Sequence, residues 1–120
     1  MKIKLFDSEL KVMELLWEQG ELSAKEIAEK TAEQIGWSKT TTYTVLKKCI
    51  EKGAIERIEP NFLCRALISR REAQEFETEE LINKMYGGAA DGLIASILSN
   101  RVLSKEEIAH LKQLVNELDR

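Results

Sequence analysis

At 120 residues, 43% hydrophobic and 32% charged, the chain has the size of one domain with an appended module, and its apolar content suffices for a core, which excludes general disorder. Its longest apolar runs are far too short to cross a bilayer and its N-terminus lacks the hydrophobic stretch of a signal peptide, so a cytoplasmic location without membrane insertion is expected. The net charge of −3 disfavours a nucleic-acid partner as a sum, but residues 38–65 hold six cations against three acids, while residues 71–120 hold six cations against ten acids. That asymmetry suits a DNA-reading head with a separate function behind it.

In chain order, the first helix begins near Asp7, places Leu10, Met13, Leu16 and Trp17 at helical spacing, and stops at Gln19-Gly20. The pattern Ser-x-x-Glu then marks three helix starts, at Ser23/Glu26, Ser69/Glu72 and Ser104/Glu107. In each, the hydroxyl accepts from a backbone N–H three residues on, and the glutamate reaches back to the cap. Two of these starts carry a hydrophobic staple, Leu22 with Ile27 and Leu103 with Ile108. The second helix runs from Ser23 to about Gln34 and buries Ile27 and Ala28. Only Ile35-Gly36-Trp37 separates it from the third, a connection of helix-turn-helix length. Trp37 has two readings, a plug between those helices or a base-stacking platform.

The third helix, started by Ser38, is the most informative segment. Its first turns carry small hydroxyls, Tyr43 and Lys39 where a packed helix would be apolar. Such side chains can bond phosphates and base edges and let the backbone approach a groove. Its second half is ordinary: Val45, Leu46, Cys49 and Ile50 face a core, Lys47, Lys48 and Lys52 stay wet, and Gly53 ends it. Thr41, Thr44 and Lys48 lie three and four residues apart on one face. Tyr43 admits two roles, a phosphate contact or a half-buried packing residue. Cys49 falls on the apolar face and reads as a reduced core thiol.

After Gly53 the period changes to two. Residues 54–58 and 62–68 alternate around Glu59-Pro60-Asn61, which predicts a β-hairpin with Cys64 inside its second strand; a redox or metal role is the alternative for that thiol. The expected fold is therefore mainly α with a small β-hairpin: a winged helix-turn-helix head over residues 1–70 and a helical dimerisation region over 71–120. Arg57 and Arg65 on the wing are placed to approach phosphates.

Three helices complete the chain, from Ser69 to about Tyr86, from Ala90 to Ser99 and from Ser104 to Leu118, with Gly87-Gly88 as a break. Leu81, Ile82, Met85, Leu93, Ile94, Ile97 and Leu98 add apolar surface to the stripe Ile108, Leu111, Leu114, Val115 and Leu118. Helices this short cannot enclose a core by themselves, so this surface is expected to pack against a second copy, with folding back on the winged head as the alternative. A twofold dimer doubles the DNA contact and sets half-sites one or two helical turns apart.

No enzyme is expected. The single histidine, His110, sits among Glu106, Glu107 and Lys112, and no nucleophile–base pair, metal-ligand set or phosphate loop is present, so neither cofactor nor metal is implied. The rivals to a DNA reader are a winged-helix protein-interaction module and a small-ligand-sensing regulator. The first would fill the start of the third helix with acids or large apolar residues rather than Lys39 and threonines.

Several segments together resemble the penicillinase-repressor family: Leu16-Trp17-Glu18, the run Thr41-Thr42-Tyr43-Thr44-Val45-Leu46, the triplet Glu51-Lys52-Gly53, Ile68-Ser69-Arg70-Arg71-Glu72 and Met85-Tyr86-Gly87-Gly88. The resemblance covers essentially the whole chain. It implies a homodimeric bacterial transcriptional repressor that holds a palindromic double-stranded DNA operator through the winged head and dimerises through the C-terminal helices. Carried over by position, Thr40, Thr41, Thr44 and Lys48 read DNA, Ser38 and Lys39 contact phosphate, and Arg57 or Arg65 does so from the wing. In antibiotic-responsive members a membrane sensor protease triggers cleavage at an Asn-Phe bond. The matching place here is Ser96-Ile97, a departure from the family's bond. Copper-responsive members end in Cys-x-Cys, whereas this chain ends Asn116-Glu117-Leu118-Asp119-Arg120.

Overall fold

A computed structural model of the chain describes residues 3–100 and 102–118. Its elements are α1 (Asp7–Gln19), β1 (Leu22–Ser23), α2 (Ala24–Ile35), α3 (Lys39–Glu51), β2 (Ile55–Ile58), β3 (Leu63–Ala66), α4 (Arg70–Met85), α5 (Ala90–Asn100) and α6 (Lys105–Leu118). They divide into two compact units, with the division in the chain between Glu79 and Glu80.

In the first unit, α1, α2 and α3 enclose a core that includes Val12, Met13, Leu16, Ile27, Leu46 and Cys49, closed by Ile55 and Cys64 from the sheet. Burying a large apolar side chain of this kind stabilises the fold by about 1.5–3 kcal/mol. The predicted helix starts are realised with bonds that explain them. Ser23 Oγ accepts from Glu26 N at 3.1 Å while Glu26 accepts from Ser23 N at 3.0 Å. The backbone bond from Ser23, with the hydroxyl bond beside it, holds the Glu26 carboxyl below its ordinary pKa. Ser69 and Glu72 repeat the arrangement at 3.0 Å in both directions. At α2's end Gly36 takes φ 71°, a left-handed value that lets its N–H cap Ala32 O before the chain turns into α3.

The wing is a three-stranded antiparallel sheet of order β1-β3-β2, with Leu22 opposite Cys64 and Glu56 opposite Arg65. The hairpin is where the alternation predicts it. The strand added to the hairpin, β1, is only two residues long, too short for periodicity to reveal, and Ser23 serves as both strand residue and helix cap. Packing of the head also continues past the hairpin into the first turns of α4. Ala73 is buried, Arg70 bonds Glu14 (2.5 Å), and Lys4 meets Glu77 at 3.0 Å. Trp17 Nε1 donates to Ile68 O at 2.9 Å, pinning the chain where it leaves the sheet.

The second unit holds the end of α4, α5 and α6. Gly88, at φ 85°, caps α4 by donating to Ile82 O, and Tyr86 lies so close to Gly92 that a Cβ there would stand 3.2 Å from the ring. Ser104 and Glu107 form the third capping box. Among the described residues, α5 and α6 contain no buried side chain. Leu93 is half-buried, whereas Leu81, Met85, Ile94, Ile97, Leu98, Ile108, Leu111, Leu114 and Val115 are exposed.

Candidate nucleic-acid interface

The surface that α3 turns outward is built from its first residues. Ser38, in extended conformation, accepts from Thr41 N at 3.1 Å through its side chain, and its hydroxyl also meets Thr41 Oγ1 at 2.9 Å. Lys39, Thr40, Thr41, Thr44, Lys47 and Lys48 are all exposed. Thr44 Oγ1 donates to Thr40 O at 2.9 Å, which uses its hydrogen and leaves its oxygen able to accept on an exposed residue. The predicted reading set thus lies together on one helix face, with hydroxyls and ammonium groups and no large apolar side chain among them. A face of that chemistry can accept base-edge donors, meet a thymine methyl and neutralise phosphates.

Tyr43 is half-buried and meets the Phe62 ring edge-on at 5.8 Å and 87°, which fits the packing alternative of its two roles. Lys39 Nζ stands 5.7 Å from the Tyr43 ring centre, and the Arg57 guanidinium lies 3.7 Å from that of Phe62. Lys39, Tyr43, Phe62 and Arg57 therefore form a continuous contact from α3 to the wing. Phe62 holds φ 46°, unusual for an aromatic residue, at the point where both neighbours pack on its ring. Trp37 is half-buried against the core, which is its plug role.

Both wing arginines are already paired, Arg57 with Glu59 and Arg65 with its cross-strand neighbour Glu56. These partners are largely exposed, and such pairs contribute little stability, so a phosphate can replace the carboxylate at small cost. The thiols are free and buried. Burial foremost, with the Glu9 carboxylate adding, pushes Cys49 up to about 12, and burial pushes Cys64 up to about 11 against the pull of Arg57. Neither is a nucleophile at neutral pH.

Two features escaped sequence reasoning. Lys52, expected to be wet, reaches back to Glu9 at 2.6 Å and to Lys4 O at 2.7 Å, with its ammonium 4.0 Å from the centre of the Phe6 ring. Glu9 is 1% exposed and also accepts from Phe6 N at 2.7 Å, so this pair locks the end of α3 to the start of α1. The other is Thr42, fully buried, whose hydroxyl meets that of Thr31 at 2.6 Å. A signal for it existed: Thr42, Val45, Leu46 and Cys49 follow the spacing of an inward stripe.

Farther along, Ser96-Ile97 lies within α5, its backbone in helix, with Ser96 half-buried and Ile97 exposed. No helix among the described residues is long and apolar enough to cross a membrane.

A helix-turn-helix followed by a small sheet, with a polar outward face on its third helix, defines a winged helix-turn-helix of the DNA-binding class. The family model described as penicillinase repressor matches residues 5–117. The penicillinase repressor of Bacillus licheniformis is 28% identical over 116 residues, spanning 95% of this chain and 91% of that protein. The methicillin resistance regulatory protein MecI of Staphylococcus aureus strain N315 is also 28% identical over 116 residues, spanning 95% and 94%. Among solved structures, the DNA-binding domain of the repressor BlaI superposes with a TM-score of 0.54 at 25% identity, covering 58% of this chain and 88% of that one. The chain belongs to the penicillinase repressor family, whose members are transcriptional repressors and not enzymes.

Proposed function

We propose that this bacterial transcriptional repressor binds a palindromic operator as a homodimer, with α3 in the major groove, Thr40, Thr41, Thr44 and Lys48 toward base edges, and Ser38, Lys39 and the wing arginines on phosphates. The observation that carries this reading is the exposed hydroxyl and ammonium face of α3, on the helix that follows the tight Gly36-Trp37 turn. The uncovered apolar faces of α5 and α6 support pairing through the C-terminal helices, because helices of this length with no buried side chain gain their stability from packing on something else. Cutting by a membrane sensor protease at Ser96-Ile97 would detach α6 with the last turn of α5, Ile97 to Asn100, and so remove most of that pairing surface. Since the bond is engaged in helix, α5 would first have to unwind.

The test is a gel shift on the promoter of the protein's own gene across a salt series. A specific complex is expected whose log affinity falls linearly with log salt, as phosphate neutralisation releases counterions. Thr44→Ala should weaken that complex by about 1–3 kcal/mol and spare non-specific binding. The absence of any specific complex on that promoter would sink the reading, and equal loss on both DNAs would make Thr44 a positioning residue.

A further inference from the structure

Among the described residues the buried polar side chains are Glu9, Thr31 and Thr42, and the last two face each other across α2 and α3. Thr31 Oγ1 donates to Ala28 O at 3.2 Å, within its own helix. With that hydrogen given to Ala28 O, Thr31 Oγ1 accepts at 2.6 Å and Thr42 donates, the arrangement in which both hydroxyl hydrogens are used. The result is a directed chain from the recognition helix to the α2 backbone: Thr42 hydroxyl, Thr31 hydroxyl, Ala28 carbonyl. Every group in it is satisfied, and the exposures are 1% for Thr31 and 0% for Thr42.

The surrounding buried side chains are apolar, with Ala24, Ile27 and Ala28 on α2 and Val45, Leu46 and Cys49 on α3. Apolar packing sets how closely two helices approach but tolerates small rotations about their axes. A short hydrogen bond in a dry interior does not, since it weakens steeply with angle and distance. Thr42 also adjoins Thr41 and lies two residues before Thr44. A rotation of α3 that broke the bond would swing both outward-facing hydroxyls by the same angle, and base-edge contacts tolerate only about 0.5 Å and 10–20°.

We propose that Thr31 and Thr42 are positioning residues for sequence reading: their hydroxyl pair fixes the rotation of α3 and so sets discrimination between operator and random DNA. This rests on the DNA-binding reading above. It predicts a split that a merely structural pair would not show. Replacing both hydroxyls by methyls is close to isosteric and leaves no buried group unsatisfied, so stability should hardly move while specificity falls.

The experiment selects duplexes from a randomised library with the wild-type chain, then compares affinity for the selected duplex with affinity for random duplex. The variant Thr31→Val/Thr42→Val is expected to melt close to wild type and to keep non-specific binding. Its specificity ratio should fall on the order of 10-fold, toward the loss of one base contact. Thr42→Ser, which restores the donor, should recover most of the ratio. If the double valine proves unstable, Thr42→Val alone decides the same ratio, because Thr31 then still donates to Ala28. Wild-type discrimination that survives either valine variant overturns the positioning role alone. A wild-type chain that selects no sequence overturns the repressor reading and the pair's role with it.

Discussion

The two units of this chain obey the same local rules and reach opposite outcomes. Each has a helix opened by a serine–glutamate capping box, at Ser23 in the head and at Ser104 in the C-terminal unit, yet the head closes a core around Met13, Ile27 and Leu46, whereas α5 and α6 have no buried side chain and leave Ile94, Leu98, Leu111, Leu114 and Val115 exposed. The head has helices on three sides and a sheet to close the fourth. The C-terminal unit has short amphipathic helices and nothing described that covers their apolar side. Capping starts a helix, but only packing against another apolar surface makes it stable. The head buries its own apolar surface, and the C-terminal unit leaves its apolar surface open.

The comparison can be broken most directly by deleting residues 88–120. If the C-terminal unit pairs two copies, the remainder should sediment as a monomer, and operator affinity should fall about 10²–10⁴-fold through lost avidity. Its head should still melt cooperatively. A dimer surviving that deletion would place the interface elsewhere.

Alanine substitutions in the two units sharpen the contrast at smaller scale. Leu46→Ala in the closed core should cost about 2–5 kcal/mol in denaturant unfolding, independent of protein concentration. Leu114→Ala, on an exposed face, should cost within about 0.5 kcal/mol in dilute protein and more as the concentration rises. Equal, concentration-independent losses would mean that the C-terminal face is covered within one chain.

The smallest effect lies inside the head. Cys49 and Cys64 have folded pKa values of about 12 and about 11, raised above the ordinary 9.0, so the folded state holds these protons more tightly than the unfolded chain. Their contribution is fully present below pH 9.0 and is lost as pH rises through the folded values. Melting temperature should therefore decline progressively above pH 9, and less so in Cys49→Ala/Cys64→Ala. Iodoacetamide at neutral pH should label neither thiol until the protein unfolds; rapid labelling of the native chain would contradict a closed core.

Much of the head's architecture was legible because its signals are local. Ser23, Ser69 and Ser104 announce helix starts through bonds that span three residues, and the switch from helical period to alternation after Gly53 announces the wing. The exposed face of α3 was legible for the same reason, since Thr41, Thr44 and Lys48 needed only helical spacing to fall together. Tyr43 was not decided locally: its choice of packing depended on Phe62, nineteen residues away in sequence and 5.8 Å away in space.

What the sequence alone determined, then, is the order and type of the elements, the outward chemistry of α3 and the apolar character of the C-terminal helices. All three follow from contacts between residues a few positions apart. Only the tertiary structure decided that Lys52 is the partner of buried Glu9 rather than a wet lysine, that Arg57 and Arg65 are held by Glu59 and Glu56, and that Thr42 reaches inward to Thr31. Most of those partners lie on different elements, and the energy of a polar group depends on which partner the fold brings to it and how far water is excluded.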